Sequence, residues 1–343
     1  MLPQRIHSPS LHDLQTTVAE LLGNSDEHVV VQFLAPEQYP APILAALDAL
    51  CAQHGHRLDV RFYGHYAADQ PFDGRTLEAL PHVQTLTLDC LYHAERLETL
   101  ASLAHLGSLA LGVDKLDLNP ILALSNLQNL TMLRVFQEVG PKLDLASVSR
   151  LAHLRVLHLN AKTQGLKPLE ALTGLTELSL WRQPATTTFE VVSRLSGLET
   201  LSIGFGSRKA MPELFSDSVT HLSLLRVRGL QALELGRFPS LEVLEIEDQP
   251  HLGELVLGSC SRLRALRLAN LKSLGRIDGL GEVPVGKLSI YKTPGLDLLA
   301  LLDQPLPELK AVRLVSGKRG VDQEIEARRE TLGLALVKGI FEE

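Results

Sequence analysis

The pattern L-x-x-L-x-L returns in register along this chain, opening at Val83, Leu106, Leu127, Leu154, Leu175, Leu198, Val219, Leu241, Leu263, Val285 and Leu309. Self-similarity at a period of roughly 20 to 30 residues marks a stack of small units, none of which can enclose a core alone. About five buried aliphatic side chains at roughly 1.5–3 kcal/mol each face a backbone ordering cost of ~1–2 kcal/mol per residue. Each unit therefore depends on its neighbours. The pattern predicts a solenoid whose two open ends need caps.

Within a unit, apolar residues alternate with exposed ones, as in Leu154-Arg-Val-Leu157-His-Leu159 and Leu263-Arg-Ala-Leu266-Arg-Leu268. That is a strand with one buried face. Fully buried parallel strands read as unbroken apolar runs, so the alternation implies a sheet with one wet face. A doubly wound sheet or barrel of βαβ units needs about 30 residues or more per unit, and the returns here are too short. From Val219 to Leu296 similar runs open every 11 residues or so. Leu230-Gln-Ala-Leu233-Glu-Leu235 and Leu252-Gly-Glu-Leu255-Val-Leu257 repeat the motif, so the return side is expected to be extended there. Upstream, Leu166-Lys-Pro-Leu169-Glu-Ala-Leu172 and Pro120-Ile121-Leu122-Ala-Leu124 predict helical or 3₁₀ returns.

The flanks read as caps. Apolar residues recur at three and four from Leu11 to Leu22 and stop at Gly23, predicting an amphipathic helix. Strand, helix and strand follow at 29–33, 42–51 and 58–62. A right-handed crossover would set the two strands parallel, with Val60 and Phe62 extending the sheet past Leu86 and Leu88. Residues 322–332 predict a charged helix, followed by a short strand at 334–337. The expected organisation is an α/β capping region over 1–80, repeats over 81–317 and a C-terminal cap over 318–343.

Composition narrows the functional classes. The 343 residues are 45% hydrophobic and 21% charged with a net charge of -7, and mild acidity argues against a general nucleic-acid binder, which shows a basic stripe. The opening Met1-Leu-Pro-Gln-Arg-Ile-His lacks the apolar core of a signal peptide, and no run approaches the 18 or so apolar residues of a membrane span. A cytoplasmic protein is expected. Cys51, Cys90 and Cys260 are scattered without C-x-x-C spacing, which predicts reduced thiols. The sequon Asn129-Leu-Thr131 falls in a predicted strand and reads as chance.

Catalytic signatures are missing: the chain has no G-x-x-x-x-G-K-[ST], H-E-x-x-H or G-x-S-x-G. Gly204-Phe-Gly206 has no third glycine to complete a nucleotide loop. His54, His56 and His65 lie close together near Arg61 and Tyr63, and Cys90 has His93 nearby. Solvated histidines and a packed cysteine account for both. No cofactor or metal is expected.

The repeat frame maps the wet face. Third, fifth and seventh positions project from the sheet, and the eighth lies at its edge. The seventh column reads Asp89, Gly112, Leu133, Asn160, Trp181, Gly204, Leu225, Glu247, Ala269, Tyr291 and Val315. The eighth contains Arg134, Arg182, Phe205, Arg226, Asp248 and Lys292. Leu133, Trp181 and Leu225 thus fall on every second strand, each followed by an arginine. Apolar side chains rimmed by charge are the usual form of a binding patch, and Trp and Arg are the residues most enriched in interface hot spots. Trp181 is the single tryptophan. Further along, Glu245, Glu247 and Asp248 make an acidic strand, followed by basic Arg267, Lys287, Lys292 and Arg313.

Over residues 83–317 the repeated motif resembles the leucine-rich repeat superfamily, especially irregular bacterial and intracellular forms with units near 22 residues. The resemblance implies a curved right-handed α/β solenoid with a parallel concave sheet. The superfamily's usual asparagine, three residues after the last strand leucine, is replaced by Asp114, Gln183, Gln249 and Thr293, so weaker side-chain ladders are expected there. The resemblance also implies binding of a protein partner through the concave face and carries over no catalytic residue. The expected face comprises Leu133, Arg134, His158, Trp181, Arg182, Phe205, Leu225, Arg226, Glu245, Glu247 and Tyr291. One alternative makes residues 1–80 a small catalytic segment that the repeats deliver to substrate; another is an inhibitor or immunity-type protein. Partner identity and oligomeric state are not encoded in the pattern.

Overall fold

In a computed structural model, which describes residues 3–24, 28–66 and 70–338, the chain divides into two compact units, residues 1–175 and 176–343. Each is a stack of parallel strands. In the first unit the strands are Gln4–His7, Val29–Phe33, Leu58–Gly64, Thr85–Leu91, Ser108–Val113, Met132–Phe136 and Val156–Asn160, neighbouring one another in that order. In the second they are Glu177–Trp181, Thr200–Gly204, His221–Leu225, Val243–Glu247, Ala265–Ala269, Lys287–Tyr291, Ala311–Val315 and Ala335–Leu336.

The motif leucines form the core because strand pairing places like positions side by side. In the second unit Leu178, Leu201, Leu222, Leu244, Leu266 and Leu288 share one buried column, and Leu180, Ile203, Leu224, Ile246, Leu268 and Ile290 the next. Alternate residues between them stay at least partly accessible over most of the sheet, as the wet face requires.

One unit departs from the sequence frame. Leu127-Gln-Asn-Leu130-Thr-Met132 and Leu130-Thr-Met132-Leu133-Arg-Val135 both satisfy the motif, and the chain uses the second. Leu127 packs in a 3₁₀ turn, Ser125–Asn129, and Leu133 is fully buried beside Leu109 and Leu157. A shift of three residues exchanges the two faces of a strand. The chosen frame buries both Leu133 and Val135, which the other would expose. Leu133 is therefore a core residue, and Arg134 moves from the eighth position to the fifth, next to His158. The sequon also lies outside a strand, since Asn129 ends that turn.

The returns divide much as the pattern suggests. Turns of 3₁₀ type carry them at Leu97–Ser102, Ser125–Asn129, Val148–Arg150, Lys167–Ala171 and Glu190–Arg194. Extended returns appear at Glu254–Val256 and Arg276–Asp278, which pair in parallel. Two of the expected runs do not join them: the one at Leu296 leads into a helix, Leu298–Leu302, and the one from Leu230 turns away. The amide of Gln231 bonds to Lys209 instead, and the chain then enters a 3₁₀ turn, Leu235–Arg237.

In the N-terminal flank, Leu14, Val18 and Leu22 recur every four residues and are buried. Their helical segment opens on a capping box, in which Ser10 Oγ accepts from the Asp13 amide and Asp13 accepts from the Ser10 amide. Residues Leu14–Val18 take π-helical bonding within it. Ala41–His54 is a helix that ends where Gly55 adopts φ +58. Val60 and Phe62 pair with Leu86 and Leu88, as the pattern anticipates. Gln4–His7 adds an edge strand that was too short and polar to read from sequence. At the other end, helix Arg319–Thr331 precedes the strand Ala335–Leu336. No described helix is long and apolar enough to cross a membrane.

Candidate functional site

The accessible sheet face of residues 176–343 is organised by a backbone feature at the eighth position. Arg182, Phe205, Arg226, Asp248, Asn270 and Lys292 all adopt positive φ, between 49° and 61°. Each donates its amide to the seventh-position carbonyl of the next strand, at 2.9–3.0 Å. The last sheet hydrogen bond of these six repeats is thus made by a left-handed residue, which turns the chain and throws its side chain to the rim. For a phenylalanine this conformation is uncommon and carries a cost. Phe205 is retained in it.

Trp181 and Gly204 are direct neighbours in the seventh column. The indole lies against the glycine: a Cβ at Gly204 would sit 3.0 Å from Trp181 Cδ1 and 3.1 Å from the Leu225 carbonyl. Its Nε1 donates to Ser202 Oγ at 3.0 Å, and its ring meets Phe205 with centroids 5.1 Å apart and planes at 58°. Such tilted aromatic pairs add about 0.5–1.5 kcal/mol beyond area burial. Phe205 is also flanked by two guanidinium groups, Arg182 at 5.8 Å and Arg226 at 5.6 Å from its centroid. Arg226 continues to Asp248, with Nη2 and Nε at 2.6 and 3.1 Å from the same carboxylate oxygen. The result is a partly accessible ridge of Trp181, Phe205 and Leu225 edged by arginine. It also explains Gly204-Phe-Gly206, whose first glycine makes room for an indole.

Farther along, Glu247 pairs with Arg267 at 2.7 Å. Burial raises the pKa of Glu245, only partly offset by Arg267 and reinforced by Glu247. Tyr291 is exposed with Lys292 Nζ 5.1 Å from its ring centroid.

Arg134 and His158 lie in the first unit, side by side at fifth positions. Arg134 Nε and Asp59 Oδ1 are both buried without a hydrogen-bond partner among the described residues. Asp59 accepts from Thr87 Oγ1 at 3.1 Å, and burial pushes its pKa up to about 6. Beside it Arg61 holds Asp89 through two bonds of 2.6 and 2.9 Å and reaches Gln32 at 2.8 Å. This face is a polar network, in contrast to the aromatic ridge.

The histidines near the N-terminus do not converge. His65 is buried against Tyr39 Oη at 3.4 Å, while His54 Nδ1 meets Arg57 Nη2 at 3.2 Å. Burial pushes the Cys51 thiol up to about 12, so this cysteine stays protonated near neutral pH. Cys260 is also a buried free thiol. The side chain of Cys90 lies outside the described residues.

The ninth position holds a second surprise. Gln183, Gln249 and Thr293 are all buried and bond back to main-chain carbonyls: Gln183 Nε2 to Trp181, Gln249 Nε2 to Leu224 and Glu247, Thr293 Oγ1 to Tyr291. Each of these side chains satisfies a carbonyl at the end of its own strand, and Gln249 also reaches Leu224 on the neighbouring one. The map of projecting side chains drawn from sequence ended at the eighth position and so missed the tenth, where Arg228 and Lys272 are exposed. Reading two places further in the same frame would have found them.

No family model matches the chain, and neither does any curated protein. Solved structures do. An internalin of Listeria monocytogenes is 19% identical with a TM-score of 0.54, over 82% of this chain and 77% of its own. The structure of TLR13 with ssRNA13 is 20% identical at a TM-score of 0.52; it covers 91% of this chain, which spans only 51% of the TLR13 chain. A chain of the mouse RP105/MD-1 complex is 15% identical at a TM-score of 0.52, over 98% of this chain and 69% of its own. These likenesses are of fold: with the repeated motif and the parallel ladders that it builds, they show a leucine-rich repeat fold.

Proposed function

We propose that this is a non-enzymatic interaction protein that docks a protein partner on the ridge of Trp181, Phe205 and Leu225. Arg182 and Arg226 form its rim, and Glu245, Glu247 and Tyr291 extend the contact along the same face. The observation that carries this reading is the placement of the single tryptophan. It is only partly covered, it lies on a glycine that leaves it room, and it stacks on a phenylalanine kept in a costly backbone conformation. A buried packing role requires none of these. Partly exposed Trp beside Arg is the composition of an interface hot spot.

In this reading residues 1–80 and 318–343 cap the repeats of 81–317. Pairing of Val60 and Phe62 with Leu86 and Leu88 supports the first cap, and pairing of Ala335 with Ala311 the second. Among fold relatives, one was solved as a complex with MD-1. An inhibitor that covers an enzyme's active site is a special case of the same mechanism, and the buried free thiols suit a cytoplasmic setting.

The test is quantitative capture from lysate with wild type and a Trp181→Ala, Arg182→Glu variant, followed by titration of the recovered partner. Trp181→Ala alone is expected to weaken affinity at least tenfold, about 1.4 kcal/mol. Unchanged affinity in a variant that remains folded would remove the ridge as the docking site.

A further inference from the structure

The eighth and tenth positions of the repeats bound a groove that shares only Arg226 with the rim of the Trp181 ridge. It is an open trough of about 600 Å³ between the rows that begin at Arg226 and Arg228 and end near Ser316. Buried Gln249 and Thr293 lie at the ninth position between the two rows. Five successive repeats at about 4.8 Å spacing make it roughly 19 Å long, enough for about six residues of extended chain at ~3.3 Å each.

Its charge is opposite to that of the molecule. Arg226, Arg228, Lys272 and Lys292 line it against a single carboxylate, Asp248. Asp248 is already engaged by Arg226 at 2.6 Å, which leaves three cationic groups uncompensated in a chain of net charge -7. Arg228 and Lys272 form no ion pair among the described residues, and Lys292 meets only the face of Tyr291. Arg208, one repeat earlier, shows the contrast. Its guanidinium donates to the Thr187 and Pro184 carbonyls at 3.0 and 2.9 Å and lies 4.1 Å from the Phe189 ring centroid, so it is spent on structure.

We propose that this groove binds an extended acidic segment of a protein partner. Carboxylates would sit at Arg228 and at the Lys272–Lys292 pair, and a backbone N–H would face the second oxygen of Asp248. A uniform polyanion fits less well, because one of its phosphates would face Asp248. Single-stranded nucleic acid also binds by stacking bases on aromatic rings, and the groove is walled by Pro250 and Pro294 instead. The groove deepens the reading of a protein-binding role by naming partner chemistry, but it stands on residues apart from Trp181, so either can fail alone.

The test is fluorescence anisotropy on the full chain with three labelled probes: a peptide alternating glutamate and glycine, its lysine counterpart, and a thymidine oligonucleotide matched in charge to the acidic peptide. The acidic peptide is expected to bind with an affinity that falls as salt rises, and the lysine peptide not to bind. Arg228→Ser with Lys272→Ser, whose exposed side chains make no hydrogen bond or ion pair among the described residues, is expected to weaken binding at least tenfold, with Trp181→Ala unaffected. The proposal is overturned if the acidic peptide fails to bind, if the double variant binds it like wild type, or if Trp181→Ala loses it equally. Tighter binding of the oligonucleotide, abolished in the double variant, would also overturn it and reassign the groove to nucleic acid.

Discussion

Trp181 and Gly204 sit side by side in adjacent strands, and the indole of the first occupies the space that a side chain on the second would fill. The same indole is tied to Ser202 by a 3.0 Å hydrogen bond, so its orientation is fixed from two sides. A ridge residue held this way is pre-organised, which lowers the ordering cost of binding.

Gly204→Val should displace that indole. The new Cβ would approach both Trp181 and the Leu225 carbonyl, and the second of these is backbone that cannot yield easily. Overpacking of this kind costs about 1–3 kcal/mol. Because Trp181 is the only tryptophan, its emission reports on the site directly. A red shift with a lowered Tm is expected, and an unchanged spectrum would refute the contact.

Phe205→Asn separates affinity from stability. Asparagine tolerates the left-handed region, relieving about 1–2 kcal/mol of strain, which offsets the loss of a half-buried ring. Thermal stability should stay within about 1 kcal/mol of wild type, while affinity for the captured partner drops. Calorimetry and partner titration on the same sample decide it.

Gln249→Ala is expected to be among the costlier single changes in the repeats. Gln249 is fully buried, and its amide serves the carbonyls of Leu224 and Glu247. Alanine leaves both without that donor and opens a cavity, so a loss of about 2–4 kcal/mol is expected. Gln249→Asn, which keeps an amide, should lose less. Urea melts of the two variants measure the difference.

Asp59 makes stability depend on pH in the opposite sense to a salt-bridged carboxylate. Burial raises its pKa from 3.8 to about 6, so the native state holds this proton more tightly than the unfolded chain. Its favourable contribution is full below about pH 4, and is lost as pH rises through about 6. Asp59→Asn should therefore raise the Tm at pH 7.5, by an amount corresponding to roughly 1–3 kcal/mol, with the gain vanishing near pH 4. A gain independent of pH would show that the buried charge is not its cause.

The inward columns, the two flanking elements that continue the sheets and most of the strand starts follow from local sequence, because apolar alternation with a fixed period leaves one way to bury the leucines. Leu222 and Leu266 need no neighbour to declare which way they point. Three things were decided only by the stack. Leu127 and Leu130 offer equivalent motifs, and the choice between them rests on whether Leu133 and Val135 find Leu157 and Leu159 beside them. The left-handed turn at Arg182, Phe205 and Arg226 arises where each amide must reach a carbonyl on the next strand, and nothing in those residue types announces it. Finally, Trp181 meets Gly204, and Arg228 shares a groove with Lys272, across 23 and 44 residues of chain. Sequence sets the period of the columns; stacking sets which side chains share a surface, and binding chemistry depends on that sharing.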